Sequence, residues 1–179
     1  MSAKSAAERL LLVTLFLVLG AGVSVLLAQE AADPLLSAFQ ENFRRAAEET
    51  KLDILRDSVN YEPGAMGPLY VQAVEYVINN SDQLQTNVKL QEIALEAARL
   101  AGLSSYKPAA LPLVELFEIY DNTGVRIAAL DGLKADSIGN ERTLLFLNRW
   151  VERQITLFRA GGGVNTQVLA EAVVTLGSY

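Results

Sequence analysis

Residues 110–133 read A-L-P-L-V-E-L-F-E-I-Y-D-N-T-G-V-R-I-A-A-L-D-G-L. In the first half Leu111, Val114, Phe117 and Ile119 recur at spacings of three, three and two, which is the period of one apolar helix face. Val125, Ala129, Leu130 and Leu133 repeat it in the second half. Between the two lies Asp121-Asn122-Thr123-Gly124. Asp and Asn side chains accept hydrogen bonds from the free amides of a helix start, and Gly supplies the backbone angles of a tight turn. The stretch is therefore expected to fold as a hairpin of two short helices. Alone, such a hairpin leaves an apolar face uncovered, so further hairpins must stack on it.

Three more can be read on either side. Asp33-Pro34 starts a helix over 33–49, followed by a second over 50–59. After a turn at 60–67, rich in Gly and Pro, helices are expected over 68–79 and from Asn87 to a stop at Gly102. The last pair covers 142–160 and 165–176, separated by Gly161-Gly162-Gly163. The second helices align through the apolar pairs Ile54-Leu55, Ala94-Leu95, Ala129-Leu130 and Ala172-Val173, which lie 40, 35 and 43 residues apart. Periods of about 35 to 45 residues with two helices each are those of helical solenoids.

Leu111-Pro112-Leu113, Leu116-Phe117, Asp121, Val125-Arg126, Ala128-Ala129-Leu130 and Leu133 together resemble a HEAT repeat. The resemblance is specific in this unit. Elsewhere the core pattern is kept but the Arg126 column holds Lys51, Gln91 and Leu169. It implies an all-α fold, a right-handed α-α superhelix of about four hairpins. It also implies that Pro112 bends the first helix, that Asp121 sits in the turn, and that Arg126 opens the second helix and ties neighbouring repeats. Ala129 and Leu130 would be the core. Tetratricopeptide repeats fit less well, because their period is constant and their Trp-Leu-Gly-Tyr pattern is missing here.

Composition narrows the function. The 179 residues include neither Cys nor His, so thiol and imidazole catalysis, disulfides and the commonest zinc ligands are all excluded. The acid pairs Asp53/Asp57 and Glu92/Glu96 share helix faces but have no glycine-rich loop or histidine beside them, and no enzyme activity, metal or cofactor is expected from them. Some HEAT-like proteins are lyases or glycosylases, and an export signal argues against both. With Lys4, Glu8 and Arg9 upstream, residues 29–179 hold 13 basic and 20 acidic residues, a net charge of −7. Such a balance repels phosphate backbones and argues against nucleic-acid binding.

Residues 10–28 carry no charge, follow Lys4 and Arg9, and precede Glu30 and Asp33. This is an export signal or a membrane anchor with the remainder of the chain outside. Ala28 offers a cleavage site before Gln29, whereas Leu26 is large for the position two before it. The chain then divides into 1–28, signal or anchor, and 29–179, the repeat domain. It is expected in the bacterial periplasm or on the outer face of the inner membrane, touching lipid only through residues 10–28. In flavour it is similar to envelope proteins of spirochaete-type bacteria.

A solenoid presents its row of second helices to a protein partner. The exposed column is expected to hold Leu52, Arg56, Glu92, Glu96, Arg99, Ile127, Asp131, Lys134 and Glu171. Tyr61, with Glu62, Pro63 and Met66, is a second candidate contact because it lies in a turn held by a rigid scaffold. Val174 in the last, nearly uncharged helix is a third, suited to self-association through the end of the array. The chain is thus expected to be a non-enzymatic interaction scaffold, or a structural component of an envelope assembly.

Overall fold

The computed structural model describes residues 33–134 and 136–179; the signal or anchor expected at 1–28 lies outside them. The described residues are all-helical, with no strand among them. Eight α-helices follow one another: α1 (Pro34–Arg45), α2 (Glu48–Ser58), α3 (Pro63–Asn79), α4 (Val88–Leu103), α5 (Ala110–Ile119), α6 (Thr123–Gly132), α7 (Glu141–Arg159) and α8 (Thr166–Leu176). Single 3₁₀ turns at Ser81–Gln83 and Lys107–Ala109 precede α4 and α5. None of these helices is long and apolar enough to cross a membrane.

Asparagine starts four of the helices. The Oδ1 atoms of Asn87, Asn122 and Asn165 each accept from the amide three residues on, at 3.1 Å, and Asn140 accepts from Arg142 and Thr143. Each satisfies an amide that has no partner within its helix. α7 stops in a Schellman motif: Gly161 has φ +80°, and the Gly162 amide donates back to the Leu157 carbonyl at 2.9 Å.

Three boundaries differ from the sequence reading. α1 ends at Arg45 rather than 49, and α3 begins at Pro63, so the turn expected over 60–67 is shorter and Met66 is buried core. Pro63 occupies the first helical position, where its missing amide costs nothing. Gly102 does not stop α4; the helix continues to Leu103. A Cβ on Gly102 would lie 2.6 Å from the Cα of Gly132, and one on Gly132 would lie 2.7 Å from the Cα of Gly102. These two glycines are the point where α4 and α6 cross in backbone contact. Pro112 is the third residue of α5, in the first turn, where amides have no intrahelical acceptor, so it does not interrupt a helix interior.

Even-numbered helices pack in succession, α2 on α4, α4 on α6 and α6 on α8. Odd-numbered ones do the same from α3 to α5 to α7, and α3, α5 and α7 each pack on the helix that follows. Leu90, Ile93, Leu113, Leu116 and Leu130 fill the space between, all fully buried. Phe117 joins α5 to α7 through edge-on contacts with Phe146 and Trp150. The apolar pairs used for alignment are not uniformly buried. Ala129 and Leu130 both are, whereas Leu95 is 44% and Val173 53% exposed beside buried Ala94 and Ala172. Successive residues point about 100° apart on a helix, so one of an adjacent pair turns to solvent wherever the neighbours leave a narrower stripe.

Arg126 does not tie one hairpin to the next. Its Nε donates to the Phe117 carbonyl at 3.0 Å, its guanidinium pairs with Asp121 at 2.5 Å, and it lies over the Phe117 ring. It closes its own hairpin. Lys51 does the equivalent for α1: its Nζ donates to the carbonyls of Phe43 at 2.5 Å and Ala46 at 2.6 Å, between the rings of Phe43 and Tyr76. Burial pulls this ammonium below its ordinary pKa, and the Glu48 carboxylate pushes it back up. α1 has no broad packing against another helix, so this clamp and buried Phe43 carry much of its attachment. Lys51→Met should cost about 1.5–3 kcal/mol, the scale of a hydrogen bond to a charged group. It should also speed amide exchange throughout α1, and unchanged exchange there would contradict the clamp.

Candidate functional site

Of the column expected on the second helices, Leu52 is 2% exposed and belongs to the core. Arg56, Arg99 and Asp131 are exposed, while Glu92, Glu96, Ile127, Lys134 and Glu171 are half-buried. Helix geometry pairs most of the charges locally, because residues three apart are neighbours on a helix surface. Lys89 meets Glu92 at 3.0 Å and Arg99 meets Glu96 at 2.5 Å. Lys134 takes Asp131 at 2.7 Å and reaches Glu171 at 3.2 Å, linking α6 to α8.

The hydrogen bond to Asp131 is the largest of the effects that raise the Lys134 pKa, and the one to Glu96 raises that of Arg99. Only Arg56 stands in this column without an ion pair among the described residues. Exposed pairs of this kind contribute little stability. They produce a ridge of alternating sign whose charges are mostly paired within the molecule.

The other candidates stand apart from this ridge. Tyr61 packs edge-on against Phe39 with ring centroids 5.3 Å apart, so half of it is committed to holding α1. Val174, 58% exposed, lies on the outer side of α8 beside Val173. Tyr70 is 1% exposed, and burial raises the pKa of its hydroxyl, which shares a hydrogen bond with Ser58 at 3.2 Å. Glu48 ties α2 to α4: it accepts from the Asn87 amide at 2.9 Å and from Tyr76 at 3.3 Å.

Sequence reasoning missed the grooves on the odd-numbered helices. Between α5 and α7, Glu118, Arg142, Leu145, Phe146, Arg149 and Arg153 line an open groove of about 1050 Å³. A smaller one, about 590 Å³, runs between α3 and α5. The available signal was length. α7 has 19 residues and α5 only 10, so apolar positions late in α7 have no odd-numbered neighbour to cover them. The chain matches no protein-family model, and no curated protein or solved structure is similar to it at a significant level.

Proposed function

We propose that the chain is an exported, non-enzymatic protein-interaction module built as a HEAT-like array, a right-handed superhelix of four stacked hairpins. One observation supports the reading: a side-chain-to-carbonyl bond recurs at the same offset from three of the helix starts. The caps of α2, α4, α6 and α8 are residues 47, 87, 122 and 165, which lie 40, 35 and 43 apart. Four residues after the first three caps stand Lys51, Gln91 and Arg126. Each donates to a backbone carbonyl earlier in the chain: Phe43 in α1, Leu84 at 2.7 Å just after the 3₁₀ turn that follows α3, and Phe117 in α5. Three different side chains hold a helix start to the chain before it, which supports a common hairpin plan. The fourth position, Leu169, has no such donor.

In an array of this kind each hairpin touches only its neighbours, and one row of helices remains as an extended surface. The ion-paired ridge of α2, α4, α6 and α8 is that surface. Its partner is a protein, since the net charge of −7 over residues 29–179 disfavours nucleic acid. The uncharged run at 10–28 supports a location in the bacterial periplasm or on the outer face of the inner membrane. A second reading, a structural element of the envelope associating through the ends of the array, draws on the exposed pair Val173 and Val174.

Photo-crosslinking amino acids at Glu92 and Asp131 in intact cells test the first reading. Both positions should give adducts with the same envelope protein. The chain itself should be recovered from the periplasm with an N-terminus near Gln29, or from membranes with its terminus intact. Adducts at neither position, or a chain confined to the cytosol, would overturn it.

A further inference from the structure

Two grooves of opposite charge lie side by side on the odd-numbered helices. The α3/α5 groove has an apolar floor of Val71, Ile78 and Leu111, edged by Glu75 and Glu115, with no cation in its lining. The α5/α7 groove has Leu145, Phe146 and Leu157, edged by Arg142, Arg149 and Arg153 together with Glu118 and Glu152, which leaves its lining with an excess of positive charge. Leu111, Leu145 and Leu157 are 56%, 51% and 44% exposed, so the apolar floor is open to water.

The basic groove holds two cations that have no ion pair among the described residues. Outside α7, every Lys and Arg among the described residues other than Arg56 has a carboxylate or carbonyl partner. Arg142 and Arg149 have none among the described residues, and neither do Glu75 and Glu115; Arg153 reaches Glu118 only at 3.7 Å. In a chain with an excess of acid, two guanidinium groups without an ion pair in one groove offer a place for carboxylates from elsewhere.

We propose that this face binds a second copy of the chain, through an isologous contact whose two-fold axis passes through the outer ridge of α5. Neighbouring helix axes are about 8–10 Å apart, and the acidic and basic grooves lie on opposite sides of that ridge. Rotation by a half turn lays α3 of one copy over α7 of the other. Glu75 and Glu115 then face Arg142 and Arg149 of the partner subunit, and symmetry makes the same contact twice. Leu111, Leu145 and Leu157 supply the apolar area, and the charges fix register and partner. A flat lipid surface does not enter a groove between helices, and an anionic one would repel Glu75 and Glu115. An unrelated acidic helix would use only the basic groove. The proposal leaves the ridge of even-numbered helices free and does not depend on what binds there.

Charge reversal tests it on the full chain, purified in mild detergent. Sedimentation should show a dimer. Arg142→Glu with Arg149→Glu should weaken association on the order of a hundredfold, because like charges then meet across the contact, and Glu75→Lys with Glu115→Lys should do the same. Mixing the two reversed proteins should restore the dimer, since each then offers what the other lacks. Because the chain has no cysteine, Leu111→Cys in the otherwise unaltered protein gives an independent readout through a short bis-maleimide. It should crosslink to a dimer, and Val174→Cys should not. A monomer at about 0.1 mM, well above micromolar affinity, would overturn the proposal. So would reversed variants that still dimerise, a mixture that stays monomeric, or crosslinking through Val174→Cys instead of Leu111→Cys.

Discussion

Leu130→Ala should lower the unfolding free energy by about 2–5 kcal/mol, the range for truncating a fully buried leucine whose surroundings relax incompletely. Leu130 has no exposed surface, and α6 is packed by α4, α5 and α8 together, so the space left behind has three helices around it. The Leu130 carbonyl also accepts from Thr175 at 3.3 Å, which holds α8 in place against any collapse into the cavity. Glu96→Ala is the matched control. Its partner Arg99 has a 45% exposed side chain, and loss of such a pair should stay within about 0.5 kcal/mol. Denaturant titration of both variants checks the pair of values, and equal losses would mean that the core and outer faces of α4 and α6 are assigned wrongly.

Gly102→Ala should destabilise, against the usual sign for this exchange. Within a helix, alanine is ordinarily favoured over glycine by about 0.5–1 kcal/mol. Here the added carbon would lie 2.6 Å from the Cα of Gly132, which is backbone and cannot rotate aside. α4 and α6 would have to move apart, loosening the apolar contacts on both sides of the crossing, for an expected cost of about 1–3 kcal/mol. Gly132→Ala should cost a similar amount. The double variant should cost less than the two together, since one separation serves both carbons. Gly64→Ala in α3 has ordinary contacts at 3.7 and 4.0 Å and should be neutral or slightly stabilising. A gain in melting temperature for Gly102→Ala would show that the helices are not in backbone contact.

This contact also shows where the sequence stops being legible. Gly102 reads as a helix stop because glycine near the end of an apolar run usually is one. Its real role depends on Gly132, thirty residues on, and no local pattern announces a pair that meets only after the hairpins stack. Lys51 and Gln91 look like departures from the Arg126 column when judged by residue type. In three dimensions Lys51 reaches a carbonyl of the preceding helix as Arg126 does, and Gln91 reaches one in the connection before α4, because a carbonyl accepts from an ammonium or an amide as readily as from a guanidinium.

What was legible is what local chemistry decides. Asn87, Asn122 and Asn165 were readable as caps, the helical stretches followed from the 3.6-residue period, and the break after α7 followed from three glycines. Leu52 and Val173 were misplaced because assigning a face needs the neighbouring helix, not only the period. For the candidate contacts, the residues of the ion-paired ridge could be named from the exposed column. Its neutralisation by pairs three apart, and the grooves beside α5, needed the positions of neighbouring helices.

The stacking of the hairpins is the central claim, and one distance tests it. Spin labels on Arg56→Cys in α2 and Val174→Cys in α8 are the only thiol-attached groups in a chain without native cysteine, and both sites are exposed. Three steps of about 8–10 Å between successive even-numbered helices place the two backbones roughly 24–30 Å apart, before the length of the labels is added. Double electron–electron resonance should return a single narrow distribution at or somewhat beyond that distance. A distribution centred below about 15 Å, less than two such steps, would mean that α8 folds back on α2, and the array would be contradicted.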